Sequence, residues 1–197
     1  MLRDSSKTAA AHSVFSRHSL FLVCTLATSL ALSGCGATVI RTQHAAPVPA
    51  EVRWVLLPFA NHSEAPQCAE RVEAMTETLL RMRGVSRLVT YAAEPADDRK
   101  DLRRTLLGDG ERDAMRDMAW AKSQGFVYAI SGSVEEWRYR SGLEGEAAVG
   151  ISVRVIDLSH DKVIWSASGT DTGPAHEAVS GTALRLIDQL LAGLEFR

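Results

Sequence analysis

The sequence predicts an α/β domain: a mixed β-sheet of about five strands with three main helices packed on it, in the order βαβαβββα. Two strand–helix units come first, and such units place their strands in one sheet with the helices as crossovers. A meander of alternating strands follows and ends in a helix with one apolar face. A domain of about 150 residues buries roughly 68–70% of its unfolded surface, so this fold needs no disulfide.

The first strand–helix–strand unit spans residues 52–91. The apolar run over 52–59 predicts a strand that ends at a proline and a polar turn. A helix follows Pro66, which suits a first helical turn, and ends at Gly84. Residues 85–91 predict the next strand. The apolar stripe of the helix consists of Ala69, Val72, Met75, Leu79 and Met82.

The second half begins with a weakly patterned helix over 99–107 and a clearer helix over about 111–123, which Gly125 follows. Three strands are predicted next, over 126–140, 147–158 and 162–170, joined by Gly-rich and polar turns at 141–145 and 159–161. Gly132 marks a bulge or a close approach within the first of them. The amphipathic helix over 174–194 closes the chain.

The N-terminal segment predicts a bacterial lipoprotein. A basic stretch precedes a thirteen-residue apolar run from Leu20 to Leu32, and Ser33-Gly34-Cys35 follows it as a lipobox. Thirteen residues are too few to cross a bilayer core, which needs about 20. We therefore expect residues 1–34 to be a signal peptide, residues 35–50 a lipidated Cys35 with a flexible tether, and residues 51–197 the folded domain. Gly36 permits sorting to the periplasmic face of the outer membrane.

The composition limits the partners. Cleavage removes three of 22 basic and one of 24 acidic residues, so the mature chain carries 19 and 23, a formal net charge of −4. A mildly acidic chain argues against nucleic acid as a partner and allows a cationic one. With Cys24 lost and Cys35 lipidated, Cys68 stands alone, and its helical spacing with Val72 predicts a small core residue.

No catalytic constellation is present in the sequence. The chain has no nucleophile elbow, no phosphate-binding loop and no dinucleotide fingerprint, and its histidines lack zinc-ligand spacing. An acidic cluster opens the 111–123 helix, where the helix dipole already favours negative charge. We predict no catalytic residue, no metal and no cofactor. The cluster consists of Asp109, Glu111, Asp113 and Asp117.

The tryptophans are more informative. Trp54 and Trp165 lie inside apolar strand runs and are expected in the core, whereas Trp120 lies on the polar side of its helix and is a candidate subunit contact. Trp137 stands beside Tyr139 at the end of a long strand. An aromatic residue there suits a membrane interface, a sugar-stacking surface or a subunit contact, and equally a cross-strand cover over the sheet.

At these residues the chain resembles a known family. The segments 54–63, 132–139, 155–157 and 163–166, with the sequences WVLLPFANHS, GSVEEWRY, VID and VIWS, are similar to those of the PelC family of lipoproteins in Pel exopolysaccharide export. The resemblance covers roughly residues 51–194. The first and the last two segments are also similar to the TolB N-terminal domain, to CsgG-like lipoproteins and to the synthase activator LpoB.

The resemblance implies a non-enzymatic role. PelC-type lipoproteins form twelve-membered rings beneath the porin PelB, with aromatic residues toward the lipid bilayer and an acidic surface that attracts a cationic polysaccharide. By this reading Trp137 and Tyr139 face the membrane, and the acidic face draws on Asp157 and Asp161 or on the Asp109–Asp117 cluster. The alternative is an LpoB-like adaptor that activates a periplasmic synthase, for which the predicted tether is short. A CsgG-like channel would need several long amphipathic hairpins, and the sequence offers one.

Overall fold

The computed structural model describes residues 39–43, 46–91, 110–140 and 145–197. Within these ranges the chain forms three helices and one seven-stranded sheet. The helices are α1 (Cys68–Met82), α2 (Gly110–Ser123) and α3 (Val179–Leu191). The strands are β1 (Val39–Gln43), β2 (Trp54–Leu56), β3 (Ala60–Asn61), β4 (Leu88–Thr90), β5 (Tyr128–Tyr139), β6 (Glu146–Asp157) and β7 (Lys162–Ala175).

The sheet is mixed, as predicted. Its strand order is β1-β7-β6-β5-β2-β4, and β3 pairs separately with β5. The short strand β2 is parallel to β4 and β5, whereas β5, β6, β7 and β1 form an antiparallel meander. The elements from β2 onward follow the predicted order βαβαβββα, except for the two-residue strand β3. The predicted fold class is confirmed.

The two faces of the sheet are covered differently. Trp54 and Leu56 of β2 point into a large core beneath α1 and α3, and Val55 between them points into a smaller core beneath α2. This alternation is the period of two that a strand buried on both faces requires. Trp54 and Trp165 are fully buried, as the sequence predicts. Each buried aromatic side chain stabilises the fold through a large apolar area removed from water.

Two glycines explain local geometry. Gly84 follows the last turn of α1 with φ of 94°, a left-handed conformation that favours glycine, so the predicted helix stop is confirmed. Gly132 is a close-approach point: a Cβ there would collide with the Phe59 ring and the Ser152 carbonyl oxygen. The bulge lies elsewhere in β5, between Val134 and Glu136.

The fold starts earlier than the sequence predicts. Residues 39–43, which were expected to belong to a flexible tether, pair with β7 as strand β1, and Val48 forms a bridge with Phe196. The expectation was wrong for these residues because an edge strand binds through backbone groups and needs no apolar period. The predicted signal peptide, Cys35 and the predicted helix over 99–107 lie outside the described residues. No described helix is long and apolar enough to span a membrane.

Candidate functional surfaces

The β5–β6 hairpin gives the domain two distinct ends. We call residues 137–140 and 145–147 the tip end, and residues 157–162 the turn end. Tyr139 pairs with Ala147 at the tip end, and Tyr128 pairs with Asp157 at the turn end. The eleven steps between Tyr128 and Tyr139 correspond to roughly 36 Å at about 3.3 Å per residue. The candidate membrane-facing residues therefore lie far from two of the candidate acids.

The two aromatic residues of the tip end differ in exposure. The Trp137 side chain is largely covered, with 9% exposed, and belongs to the core beneath α1 and α3, whereas Tyr139 is 56% exposed. Trp137 pairs across the sheet with Val149. This burial favours the cross-strand role that the sequence analysis left open. A membrane-facing role for these two residues stays a prediction, and Tyr139 is the one of the two that is exposed.

A β-bulge accounts for the burial of Trp137. The pairing register shifts between Val134 and Glu136, so one extra residue, Glu135, stands in β5. In strict alternation Val134 and Trp137 would point to opposite faces, but the extra residue brings both to the face of α1 and α3. Gly150 lies opposite the bulge, and a Cβ there would be in ordinary contact with the Cβ atoms of Glu136 and Glu135, at 3.4 and 3.5 Å.

Arginines flank Tyr139 at the tip end. Arg138 Nε donates to Glu136 Oε1 at 2.7 Å, which ties one guanidinium to the strand that carries it. The backbone N–H of Arg140 donates to the Glu146 carbonyl at 2.7 Å and closes the described part of the hairpin. An exposed tyrosine between two exposed arginines suits the boundary between water and a lipid surface, where amphipathic side chains concentrate.

At the turn end both candidate acids have basic neighbours. Asp157 Oδ1 accepts the N–H of Ser159 at 2.8 Å, and its Oδ2 lies 2.9 Å from His160 Nδ1. Burial alone would raise the pKa of Asp157, but the hydrogen bonds from His160 and from the turn backbone lower it on balance. Asp161 forms an ion pair with Lys122 at the C-terminal end of α2.

The acids of α2 do not join the turn end. Asp113 pairs with Arg116 at 3.0 Å, and Asp117 is buried with its Oδ1 3.7 Å from the same arginine. Asp117 lies five residues and Asp113 nine residues before Lys122, or roughly 7 and 13 Å along the helix. Asp109 and the side chain of Glu111 lie outside the described residues. The described candidate acids thus form two separate groups, and each group contains bases.

Trp120 is held within its own chain. Its ring lies 4.5 Å from that of Tyr91 and 5.8 Å from that of Phe126, measured between centroids, and it packs against the small core beneath α2. The side chain is half-buried. A subunit contact through its remaining surface stays a prediction.

Three hydrogen-bonded polar side chains lie beside the bulge, and no motif in the sequence marks them as a group. Glu135 accepts a hydrogen bond from Ser133 Oγ at 2.6 Å, and its other oxygen lies 3.0 Å from His62 Nδ1. The Ser133 bond is the largest effect on the Glu135 carboxyl and lowers its pKa. Because the serine donates to the glutamate and not to the histidine, this is not a nucleophile–base arrangement. No described group of three potential ligands is close enough to hold a metal ion.

Comparison with known proteins agrees with this architecture. The PelC dodecamer of Paraburkholderia phytofirmans matches with 28% identity over 82% of this chain and 99% of its own, at a TM-score of 0.67. A point variant of that dodecamer matches with 28% identity over 82% and 100%, at 0.65. Lipoprotein GNA1162 from Neisseria meningitidis matches with 18% identity over 71% and 96%, at 0.49. No family model and no curated protein matches. The predicted resemblance is confirmed: in fold and in sequence, this chain is similar to PelC.

Proposed function

We propose that this protein is a non-enzymatic lipoprotein, anchored through Cys35 to the periplasmic face of the outer membrane. Its copies assemble into a ring that guides a cationic exopolysaccharide to an outer-membrane porin of the PelB type. The similarity to a PelC that is itself a dodecamer supports the ring, with twelve members as the expected number. A ring needs head-to-tail contacts that close, and the half-buried Trp120 is one candidate for them.

One observation carries the orientation of the ring. Register places Val39, Thr170, Gly150 and Glu136 in one row across the sheet. Because β1 is antiparallel to β7 and β7 runs in the same direction as β5, β1 followed back from Gln43 to Val39 runs toward the tip end. Cys35 is four residues from Val39, a reach of at most about 14 Å. Tyr139 lies three residues beyond that row, which supports placing the lipid and the exposed aromatic residue at the same end.

The charge distribution of the chain favours weak rather than tight binding of a cationic polymer. The mature chain carries a formal net charge of −4, which attracts a polycation without any strong single site. Since the described candidate acids of the turn end and α2 lie beside bases, we expect many weak contacts rather than a tight one. Weak exposed contacts allow a polymer to slide.

The LpoB-like adaptor remains the alternative. An adaptor that reaches across the periplasm needs a long flexible tether, and only three residues lie between Cys35 and strand β1. The geometry therefore favours a domain that stays at the membrane.

Two experiments test the proposal. Native mass spectrometry of the mature chain with Cys35→Ser at micromolar concentration should show a closed oligomer of high order, and a strict monomer would contradict the ring. In cells, Cys35→Ser should prevent lipidation, remove the protein from the outer-membrane fraction and abolish polymer export. Cys68→Ser is the matched control. Because Cys68 is buried in the domain, its substitution should leave the fractionation of the protein unchanged.

A further inference from the structure

Residues 39–43 and 46–50, which lie between Cys35 and β2 in the sequence, are built into the domain. Five residues of β1 pair with β7, from Val39 opposite Thr170 to Gln43 opposite Ser166. Farther along, the backbone of residues 46–50 is joined to the C-terminal residues 195–197. Three hydrogen bonds make this second connection: Val48 N to Glu195 O at 2.9 Å, Arg197 N to Val48 O at 3.0 Å and Ala50 N to Arg197 O at 3.2 Å.

Side chains hold the same segment. Val48 is 4% exposed and belongs to the main core. The Trp54 indole donates to the Pro49 carbonyl at 3.0 Å, and its ring packs edge-on against Phe196 at 5.8 Å. Residues 46–50 are therefore held by backbone pairing, by burial of an apolar side chain and by a hydrogen bond from an indole. We call residues 39–43 and 46–50 the strap.

We propose that the strap fixes the lipid anchor to the sheet, so that the domain is held in one orientation and at one height above the bilayer. This inference rests on the proposed anchoring through Cys35. A free fifteen-residue tether would have an r.m.s. reach of about 20 Å and would leave the domain free to turn. With the strap in place, only residues 36–38 separate the lipid from the sheet, so the tip end stays toward the membrane.

Such a strap favours assembly in the membrane plane. Subunits that share one height and one orientation lose less rotational freedom on association than freely tethered ones. The lipid attachment and the ring contacts are then coupled through β1 and β7. Release of the strap should weaken assembly at the membrane even though the folded core is kept.

Hydrogen exchange on the mature chain tests the strap directly. The amides of Val48, Ala50 and Arg197 should be protected at least a hundredfold relative to an unstructured chain. Val48→Asp places a charge in the core and should remove this protection, while the amides of β5 and β6 stay protected. Ala46→Asp is the matched control, because Ala46 is exposed in the same segment and should change little. Unprotected strap amides in the unmodified chain would overturn the proposal.

A milder variant covers the case in which Val48→Asp fails to fold. Val48→Ala removes two methyl groups, and we expect the exchange of the Val48 and Ala50 amides to accelerate about tenfold while the rest of the sheet is unchanged. An equal acceleration across β5 and β6 would show that the segment opens only with global unfolding and would contradict a separate strap.

The membrane consequence is measured on the lipidated protein in phosphatidylethanolamine–phosphatidylglycerol vesicles. A donor dye on Ser159→Cys at the turn end reports the distance to acceptor-labelled lipid, since Cys68 is buried. The intact strap should give weak transfer with a narrow distance distribution. Ile40→Pro with Arg41→Pro removes a backbone donor from the β1–β7 pairing, and combined with Val48→Ala it should give stronger, broader transfer. A broad distribution in the unmodified protein would overturn the proposal. Failure to bind vesicles would instead contradict the anchoring through Cys35, while the exchange result would still decide whether the strap exists.

Discussion

Glu73 Oε1 on helix α1 accepts a hydrogen bond from the backbone N–H of Phe59 at 2.8 Å. The contact joins α1 to the connection between β2 and β3, where the Phe59 ring lies over Gly132. Burial raises the pKa of Glu73 from its ordinary value of 4.5 to about 7, and the Phe59 bond opposes this shift. The negative charge of Glu70, one turn earlier, raises it further.

The stability of the domain should therefore depend on pH near neutrality. A carboxyl with a higher pKa in the folded state binds its proton more tightly there, so the stabilisation is complete below about pH 4.5. It is lost as the pH rises through about 7. Glu73→Gln keeps an acceptor for Phe59 without the charge. We expect it to match the parent at pH 4 and to exceed it by about 1–2 kcal/mol at pH 8 in urea unfolding, a figure reduced for the partial exposure of Glu73.

Glu77, one turn later on α1, supplies the control for Glu73. Its hydrogen bond with Arg81 is the largest effect and lowers its pKa, and Thr90 adds a second bond. A lowered pKa gives stability that is lost as the pH falls, so Glu77→Gln should show the opposite trend. Equal pH profiles for the two variants would contradict the assignment.

Gly132 should tolerate no side chain. A Cβ there would overlap the Phe59 ring and the Ser152 carbonyl, and one of these neighbours is backbone. We expect Gly132→Ala to destabilise the domain by about 3 kcal/mol or more, or to prevent folding. Gly150→Ala is the comparison, because its nearest contacts are at 3.4 Å. Chemical denaturation should rank Gly132→Ala far below Gly150→Ala, and similar midpoints would contradict the close approach.

The order of the main elements could be predicted because their signals are local. The apolar stripe of α1 depends on the helical period, the stop at Gly84 on positive φ and the alternation along β6 on the strand period. Met82, predicted in that stripe, is an exception, because at the end of α1 it is 78% exposed. Strand β1 lacks such a signal, because it binds an existing edge through its backbone. For that reason the tether was predicted as flexible, although most of its described length is held.

Exposure at the tip end could not be predicted for a different reason. A single bulge at Glu135 changes which face every later residue of β5 occupies. Glu135, Glu136 and Gly150 can be read in the sequence, but nothing in it shows that they lie opposite one another on two strands. Ion pairs such as Lys122 with Asp161 likewise join distant parts of the chain. The partner of Asp161 therefore could not be found in the sequence, whereas Arg116 and His160 lie only three residues from Asp113 and Asp157.

Arg185 should hold α3 to the end of β7. Its guanidinium donates two bonds to Glu177, at 2.8 and 3.1 Å, and one to the buried Asp171 at 2.9 Å. The Glu177 bonds are the largest effect and raise the arginine pKa further above its already high value. Arg185→Met leaves Asp171 without this partner, and we expect a loss of about 2–3 kcal/mol in urea unfolding.

Arg83→Met is the matched comparison for Arg185. Arg83 pairs at 2.7 Å with Asp188, whose side chain is largely exposed, so its removal should cost at most about 1 kcal/mol. If Arg185→Met and Arg83→Met lower the free energy of unfolding by the same amount, the burial of Asp171 does not determine how much the Arg185 contacts stabilise the fold.

Tyr139 and Trp137 should separate membrane contact from stability. Trp137→Ala removes a large side chain from the core, and we expect a loss of about 3–5 kcal/mol in unfolding free energy. Tyr139→Ala changes an exposed residue and should alter stability by no more than about 0.5 kcal/mol. Tyr139 lies at the end toward which β1 runs when followed back from Gln43 to Val39. On the proposed function, its substitution should still reduce polymer export in cells. Two results together would assign the membrane contact to Trp137: normal export with Tyr139→Ala, and a stably folded Trp137→Ala that fails to export. Trp137 would then have to leave the core when the proposed ring assembles.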